Sequence, residues 1–181
     1  MIPPKIKAER AWIGAPAGTF ANPTVGLLVA ALLVLAAGTA AYRTQGLPVW
    51  SIVGLHAVAL YVIFTPLHES MHGVAHQNRM INEWIGRIAG ACLTISRPLF
   101  RAVHYEHHSH TNDPARDPDF VVARAPRWLL PVWCAAVVGE YRRQFYGRRL
   151  WRSTGDFFEA VSYDAALVGV VLGALATGHG T

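Results

Sequence analysis

Seven of the nine histidines in this 181-residue sequence fall between His68 and His110. They form two boxes, His68-Glu69-Ser70-Met71-His72 and His104-Tyr105-Glu106-His107-His108. On a helix, residues three or four apart share a face. His68 and His72 are one turn apart, and His104, His107 and His108 stand at i, i+3 and i+4. Each box therefore presents its imidazoles on one side. Two such faces brought together offer five imidazoles around one small volume. Neutral imidazole is a ligand for iron, copper, zinc and nickel. A single zinc takes only three or four protein ligands, so five clustered histidines point to two metal ions sharing a histidine-rich centre. An isolated H-x-x-x-H pair is a weak signal; an H-x-x-H-H box in the same window makes it a strong one.

The elements that position these boxes follow from composition. Hydrophobic residues make up 52% of the chain and charged residues only 15%, which fits a membrane class rather than an ordinary soluble domain. The net charge of +5 comes mostly from arginine. In a membrane protein such an excess marks cytoplasmic flanks, and no basic groove interleaved with aromatics suggests nucleic acid. Cys92 and Cys134 have no C-x-x-C partner, so they read as small buried apolar residues rather than a disulfide framework or zinc knuckle. The basic start is followed by Pro16, Gly18 and Pro23 without a clean cleavage site, so no signal peptide is expected.

Residues 24–42 carry no charge and are long enough to span a bilayer. A short turn containing Arg43 leads to a second span over 49–67, with Trp50 and Tyr61 near its edges as interfacial aromatics. The two form a helical hairpin, and a third apolar run covers 160–176. The tail before the first span is basic, with Lys5, Lys7, Arg10 and an interfacial turn at Trp12. Arg79, Arg87, Arg97, Arg101, Arg116, Arg124 and Arg127 follow the second span. The amino terminus and both histidine boxes are therefore expected on the cytoplasmic side.

Between the boxes, residues 81–100 read as a helix lying along the membrane or re-entering it. The second box is expected on a helix that ends near Asn112-Asp113-Pro114, with Asp117-Pro118 a further breaker. The apolar run 128–138 is too short to cross. Arg142, Arg143, Arg148, Arg149 and Arg152 read as a solvated or headgroup-binding face. The expected fold is an all-α integral membrane protein: a transmembrane hairpin, cytoplasmic or interfacial helices carrying the boxes, and a third apolar helix at the C-terminus, in a single domain over 1–181.

This combination resembles the membrane fatty acid desaturase and hydroxylase superfamily. The resemblance rests on His68-Glu69-Ser70-Met71-His72-Gly73, on His104-Tyr105-Glu106-His107-His108, and on the following Thr111-Asn112-Asp113-Pro114 and Asp117-Pro118-Asp119. It implies a diiron enzyme that activates dioxygen and inserts a double bond, hydroxyl or keto group into a lipid chain. Its electrons would come from ferredoxin or a cytochrome b5-type carrier. Matched position by position, His68 and His72 would be first-box iron ligands, and His104, His107 and His108 second-box ligands. No catalytic residue is expected beyond these ligands. The implied activity is acyl-lipid desaturation. Met71-His72-Gly73 with Asp117-Pro118-Asp119-Phe120 also looks like the carotenoid ketolase and hydroxylase branch, so an acyl chain and a carotenoid are both candidate substrates. The family's third histidine box has no counterpart here, since His179 stands alone in Gly178-His179-Gly180. The sequence thus looks like the amino-terminal, partial form of such an enzyme, and a non-catalytic truncated stub is one rival reading.

A second rival comes from another class. His68-Glu69-Ser70-Met71-His72 is also a literal H-E-x-x-H, the helix of zinc metalloproteases with the glutamate as general base. Against it, a protease needs one further ligand and the second box supplies three. Glu69, Glu106 and Asp113 are candidates to accept the free N–H of ligating histidines. His76 and His110 read as surface or supporting histidines and His56 as a neutral, hydrogen-bonded one. Asp164, inside the third apolar run, is either paired within the bundle or a marker of a substrate channel.

Overall fold

In lipid, every backbone N–H and C=O must find its partner within the segment, so long apolar runs fold as helices. The computed structural model describes residues 22–123 and 126–178. The basic tail with Trp12, Arg124, His179 and the side chains of Arg127 and Cys134 lie outside the described residues. The order of elements is α1 (Pro23–Gln45), α2 (Val49–His72), α3 (Arg79–Cys92), α4 (Arg97–His110), α5 (Phe120–Ala123), a 3-10 turn (Arg127–Leu129), α6 (Leu130–Gly147) and α7 (Thr154–Ala176). No strand occurs among the described residues. Three helices, α1, α2 and α7, are long and apolar enough to cross a membrane, as the sequence led us to expect. The chain divides into two compact units, one ending at Leu93 and the other beginning at Thr94.

The first unit is the hairpin with α3. Asn22 opens α1: its side-chain oxygen accepts from the N–H groups of Thr24 and Val25 at 2.9 and 3.2 Å, filling donors the first turn leaves open. The same side chain donates to Ala75 O at 2.8 Å, in the loop just past the first histidine box. Leu28 and Ala31 of α1 and Ala59, Ile63 and Leu67 of α2 are buried, whereas Leu33, Val53, Val58 and Tyr61 are exposed. An apolar exterior of this kind is what a lipid-facing helix presents. The two helices approach closely at Gly38, where an added Cβ would stand 2.9 Å from Leu55 Cδ2 and 3.3 Å from His56 Nε2. Small residues at such crossings let membrane helices pack.

How α2 ends decides where the first box sits. Gly73 adopts φ 71°, its N–H bonds Ser70 O at 3.2 Å, and the N–H of Val74 bonds Glu69 O at 3.1 Å. This pair of bonds is the Schellman motif, and it needs a left-handed residue where only glycine is unstrained. Val74 is buried beneath it. The stop leaves His72 as the last helical residue. Gly73→Ala is expected to cost about 1–2 kcal/mol of stability, read as a lower midpoint in thermal unfolding of the detergent-solubilised chain; an unchanged midpoint would show that the motif does not hold the helix end. Asn78 then caps α3, and Asn82 donates to Ser70 O at 2.8 Å, tying α3 to the box-bearing end of α2.

The expected continuous segment 81–100 is instead two helices. α3 ends at Cys92, Thr94 takes a left-handed φ of 55°, and Pro98 enters the first turn of α4. Proline has no N–H to continue a preceding helix and suits a first turn, so the chain breaks and restarts here.

In the second unit, α4 packs on α6 and α7, and α5 on α6. Leu99, Val103, Phe145 and Pro118 are fully buried, with Phe100 and Ala160 beside them in the core. Ionic ties reinforce these contacts. Arg101 pairs with Asp156 at 3.0 Å, and Arg152 lies 4.7 Å over the Tyr105 ring. Asp164 accepts from Arg142 Nε and Nη2 at 3.0 and 2.9 Å and from the Tyr146 hydroxyl at 2.8 Å. Asp164 is thus paired within the bundle. The arginine run is exposed at Arg143, Arg148, Arg149 and Arg152, in keeping with the expected solvated face, and Arg143 pairs with Glu140 on its own helix. Arg142 is the half-buried exception, held by Asp164 of α7, while Arg148 and Arg152 reach Glu106 and Tyr105 of α4.

Candidate metal centre

His68 and His72 lie in the first unit, on the last turns of α2. Their ring centroids are 4.7 Å apart at 53°, as i, i+4 spacing requires. His72 is buried and His68 half-buried. Pro66, fully buried two residues before His68, has no N–H to give the helix ladder. Glu69 is engaged with a neighbouring helix. Its carboxylate accepts a short hydrogen bond from the hydroxyl of Thr24 on α1.

The second box stands on α4, in the second unit. His104 Nε2 and His108 Nε2 converge to 3.1 Å. Two imidazole nitrogens bound to one metal at about 2.0–2.1 Å stand about 2.9–3.4 Å apart for bond angles between a right angle and tetrahedral. The pair is already at ligand spacing. Phe100, one turn earlier, stacks on His104 with centroids 5.4 Å apart and planes 17° from parallel, which holds that ring in place.

His107 is held differently. Its Nδ1 is 2.8 Å from Asp117 Oδ1 and 3.3 Å from Asp119 Oδ2. A carboxylate on Nδ1 fixes the proton there and leaves Nε2 as the lone-pair donor, the usual support for a metal-bound histidine. The turn after α4 aims Asp117 back at the helix. Asp113 accepts from the Ala115 N–H at 2.8 Å, and the N–H of Asp117 bonds Asp113 O at 3.0 Å. Asp117 in turn accepts from the N–H groups of Asn112 and Asp119 at 2.8 and 2.9 Å. Burial pushes the Asp117 carboxyl upward, but the hydrogen bonds from His107, Asn112 and Asp119 and the charge of His107 outweigh it. Its pKa is held below the ordinary aspartate value, so it is ionised at neutral pH.

The expected supports Glu106 and Asp113 serve elsewhere. Glu106 binds Arg148 at 2.7 Å and His110 Nδ1 at 3.3 Å, and Asp113 shapes the turn. His76 is buried and accepts the Asn78 N–H on Nδ1 at 2.9 Å. His56 lies 3.4 Å from the Thr39 hydroxyl. Asp117 is the carboxylate beside His107, where the sequence pointed to Glu69, Glu106 and Asp113. Its signal was the second Asp-Pro pair, ten residues beyond His107. Neutral nitrogen donors at this spacing, one of them backed by a carboxylate, fit a borderline transition metal such as iron. His107, Asp117 and Asp119 also form a compact donor group of their own, within 4.8 Å of one another.

The model of a family described as Fatty acid desaturase matches residues 44–180. Among curated proteins, the chain is 29% identical over 109 residues to Beta-carotene 4-ketolase 3 of Haematococcus lacustris, covering 53% of this chain and 32% of that protein. It is 30% identical over 110 residues to Zeaxanthin 4-ketolase of Chlamydomonas reinhardtii, covering 56% and 24%. It is 30% identical over 121 residues to Beta-carotene 4-ketolase of Protosiphon botryoides, covering 63% and 30%. The matched stretch spans a third or less of each of these relatives. No solved structure matches the chain.

Proposed function

Because this chain belongs to the fatty acid desaturase family, we propose that it is an oxygen-dependent lipid oxidoreductase whose reaction is carried by a diiron centre. The ligands are His68, His72, His104, His107 and His108. The observation that supports this most directly is the second box, where two imidazole nitrogens meet at 3.1 Å and a third ring is backed by an ionised carboxylate. When bound, the iron pair supplies the oxidising power, drawn from dioxygen and external electrons, that an unactivated C–H bond requires and no side chain provides. The protein's part is placement. Phe100 and Asp117 fix two of the rings, and the Thr24–Glu69 bond fastens the first box to α1.

The relatives and the setting support one substrate class first. The curated relatives named above are ketolases, and the apolar exteriors of α1, α2 and α7 suit a substrate that enters from the bilayer, as a carotenoid would. We take a carotenoid ring methylene, converted to a ketone, as the first reading. Acyl-lipid desaturation is the second, carried by the family match. A ferredoxin or cytochrome b5-type carrier delivers the electrons. The arginine bias supports a cytoplasmic side for the amino terminus and both boxes.

The test is turnover by the full chain in membranes with reductant and oxygen, offered β-carotene and acyl lipid separately. Ketolation adds one oxygen and removes two hydrogens; desaturation only removes two hydrogens. Mass spectrometry of the extracted lipids distinguishes the two, and neither change in either substrate sinks the proposal. Glu69→Gln separates this reading from a zinc protease. Its carboxylate is engaged with Thr24 rather than poised as a base, so the variant is expected to keep its iron and its turnover within a few-fold, whereas loss of a proteolytic activity and one zinc per chain would mark the H-E-x-x-H enzyme.

A further inference from the structure

Tyr141, on α6, touches the supports of two second-box histidines at once. Its hydroxyl donates a short hydrogen bond to Asp119 Oδ1, and the other oxygen of that carboxylate lies 3.3 Å from His107 Nδ1. Its ring lies 6.2 Å from that of Phe100, the residue stacked on His104. Asp119 is more open to solvent than the buried Asp117. A carboxylate in that position swings freely unless something fixes it, and the phenol occupies one oxygen so that the other faces the imidazole. Burial, followed by the nearby charge of Asp119, holds the Tyr141 phenol well above the ordinary tyrosine range. It therefore remains a donor at neutral pH.

We propose that Tyr141 is a positioning residue for the second histidine box, steadying His107 through Asp119 and His104 through Phe100. The inference rests on the reading of these histidines as metal ligands. It adds a residue from a separate helix, 33 residues beyond His108 in sequence, that neither the box pattern nor the family match singles out. The consequence is that α6 sets the angle at which two ligands meet the metal without contributing a ligand itself.

The test uses the full chain in detergent, titrated with Co(II), whose visible ligand-field spectrum reports ligand geometry. Tyr141→Phe removes only the hydroxyl and is expected to keep the parent's melting temperature. It should bind Co(II) about three- to tenfold more weakly, in line with the loss of an outer-shell partner, and shift the cobalt bands. Asp119→Asn should reproduce the shift, with little added effect in the double variant, because both act through one contact. Tyr141→Leu, which also removes the ring against Phe100, should shift the bands further. A Tyr141→Phe chain with the parent's affinity and spectrum overturns the proposal, as does full additivity with Asp119→Asn. Should Tyr141→Phe fail to fold, Asp119→Asn carries the same reading: parent-like cobalt binding there overturns it. A parent chain that binds no Co(II), indistinguishable from His107→Ala, overturns the metal reading itself.

Discussion

Asp117→Asn is expected to bind ferrous iron about ten- to a hundredfold more weakly than the parent, the usual penalty for removing the partner that orients a metal-ligating histidine. The asparagine oxygen still accepts one N–H, but the negative charge beside His107 Nδ1 is gone. The amide also places its own donors against a backbone N–H that the carboxylate now accepts, from Asn112 or Asp119. That mismatch costs about 1–3 kcal/mol of stability. Melting of the metal-free variant measures this separately from anaerobic iron titration against a chromophoric chelator. The affinity loss should exceed anything partial unfolding explains, and His107→Ala should lower it at least as far. Parent-like affinity in Asp117→Asn would remove the carboxylate–histidine support from the proposed centre.

The second large effect concerns the pair between Asp164 of the third apolar helix and Arg142 of α6. Arg142 and Asp164 retain only 24% and 21% of their side-chain exposure. Arg142→Met leaves a carboxylate of the apolar helix with only the Tyr146 hydroxyl. Removing one partner of a buried pair is strongly destabilising, and we expect a loss of about 2–4 kcal/mol after allowing for the residual exposure. Asp164→Leu added to Arg142→Met should recover most of that loss, because replacing both members by apolar residues of similar volume is often neutral. Chemical unfolding of the four chains in detergent gives the cycle directly. A double variant as unstable as Arg142→Met alone would mean that the arginine matters for another contact, its 2.7 Å bond to Thr94 O being the obvious one.

The features legible in the sequence were those with a period or a length. Uncharged runs near 24–42 and 49–67 announced the hairpin, and H-x-x-x-H spacing announced that His68 and His72 would lie side by side, which their rings do at 4.7 Å. The spacing of His104 and His108 did the same for α4. His107 also lies on that face by spacing, yet its hydrogen bonding could not be read there. It depends on a turn whose Asp-Pro steps bring Asp117 back across ten residues, and hydropathy carries no trace of such a return. Glu69 and Thr24 are forty-five residues apart, and Arg148 and Glu106 forty-two. Charges scattered at those separations look like solvated surface until packing brings them together. The break between α3 and α4 was partly visible in Pro98, but not the left-handed turn at Thr94, because a β-branched residue gives no sequence signal for a positive φ.

The placement of both boxes at the ends of their helices has an electrostatic consequence. His72 closes α2, and His107 and His108 fall in the last turn of α4. The final carbonyls of a helix leave it with about half a negative charge at that end, felt over the last turn. Five neutral imidazole ligands would leave the charge of two divalent cations unbalanced. Backbone dipoles would offset part of that charge without spending a carboxylate ligand, and would favour the more positive oxidation state, because the same partial charge attracts a trivalent ion more strongly than a divalent one. The helix ends would thereby lower the reduction potential of a metal held by these histidines.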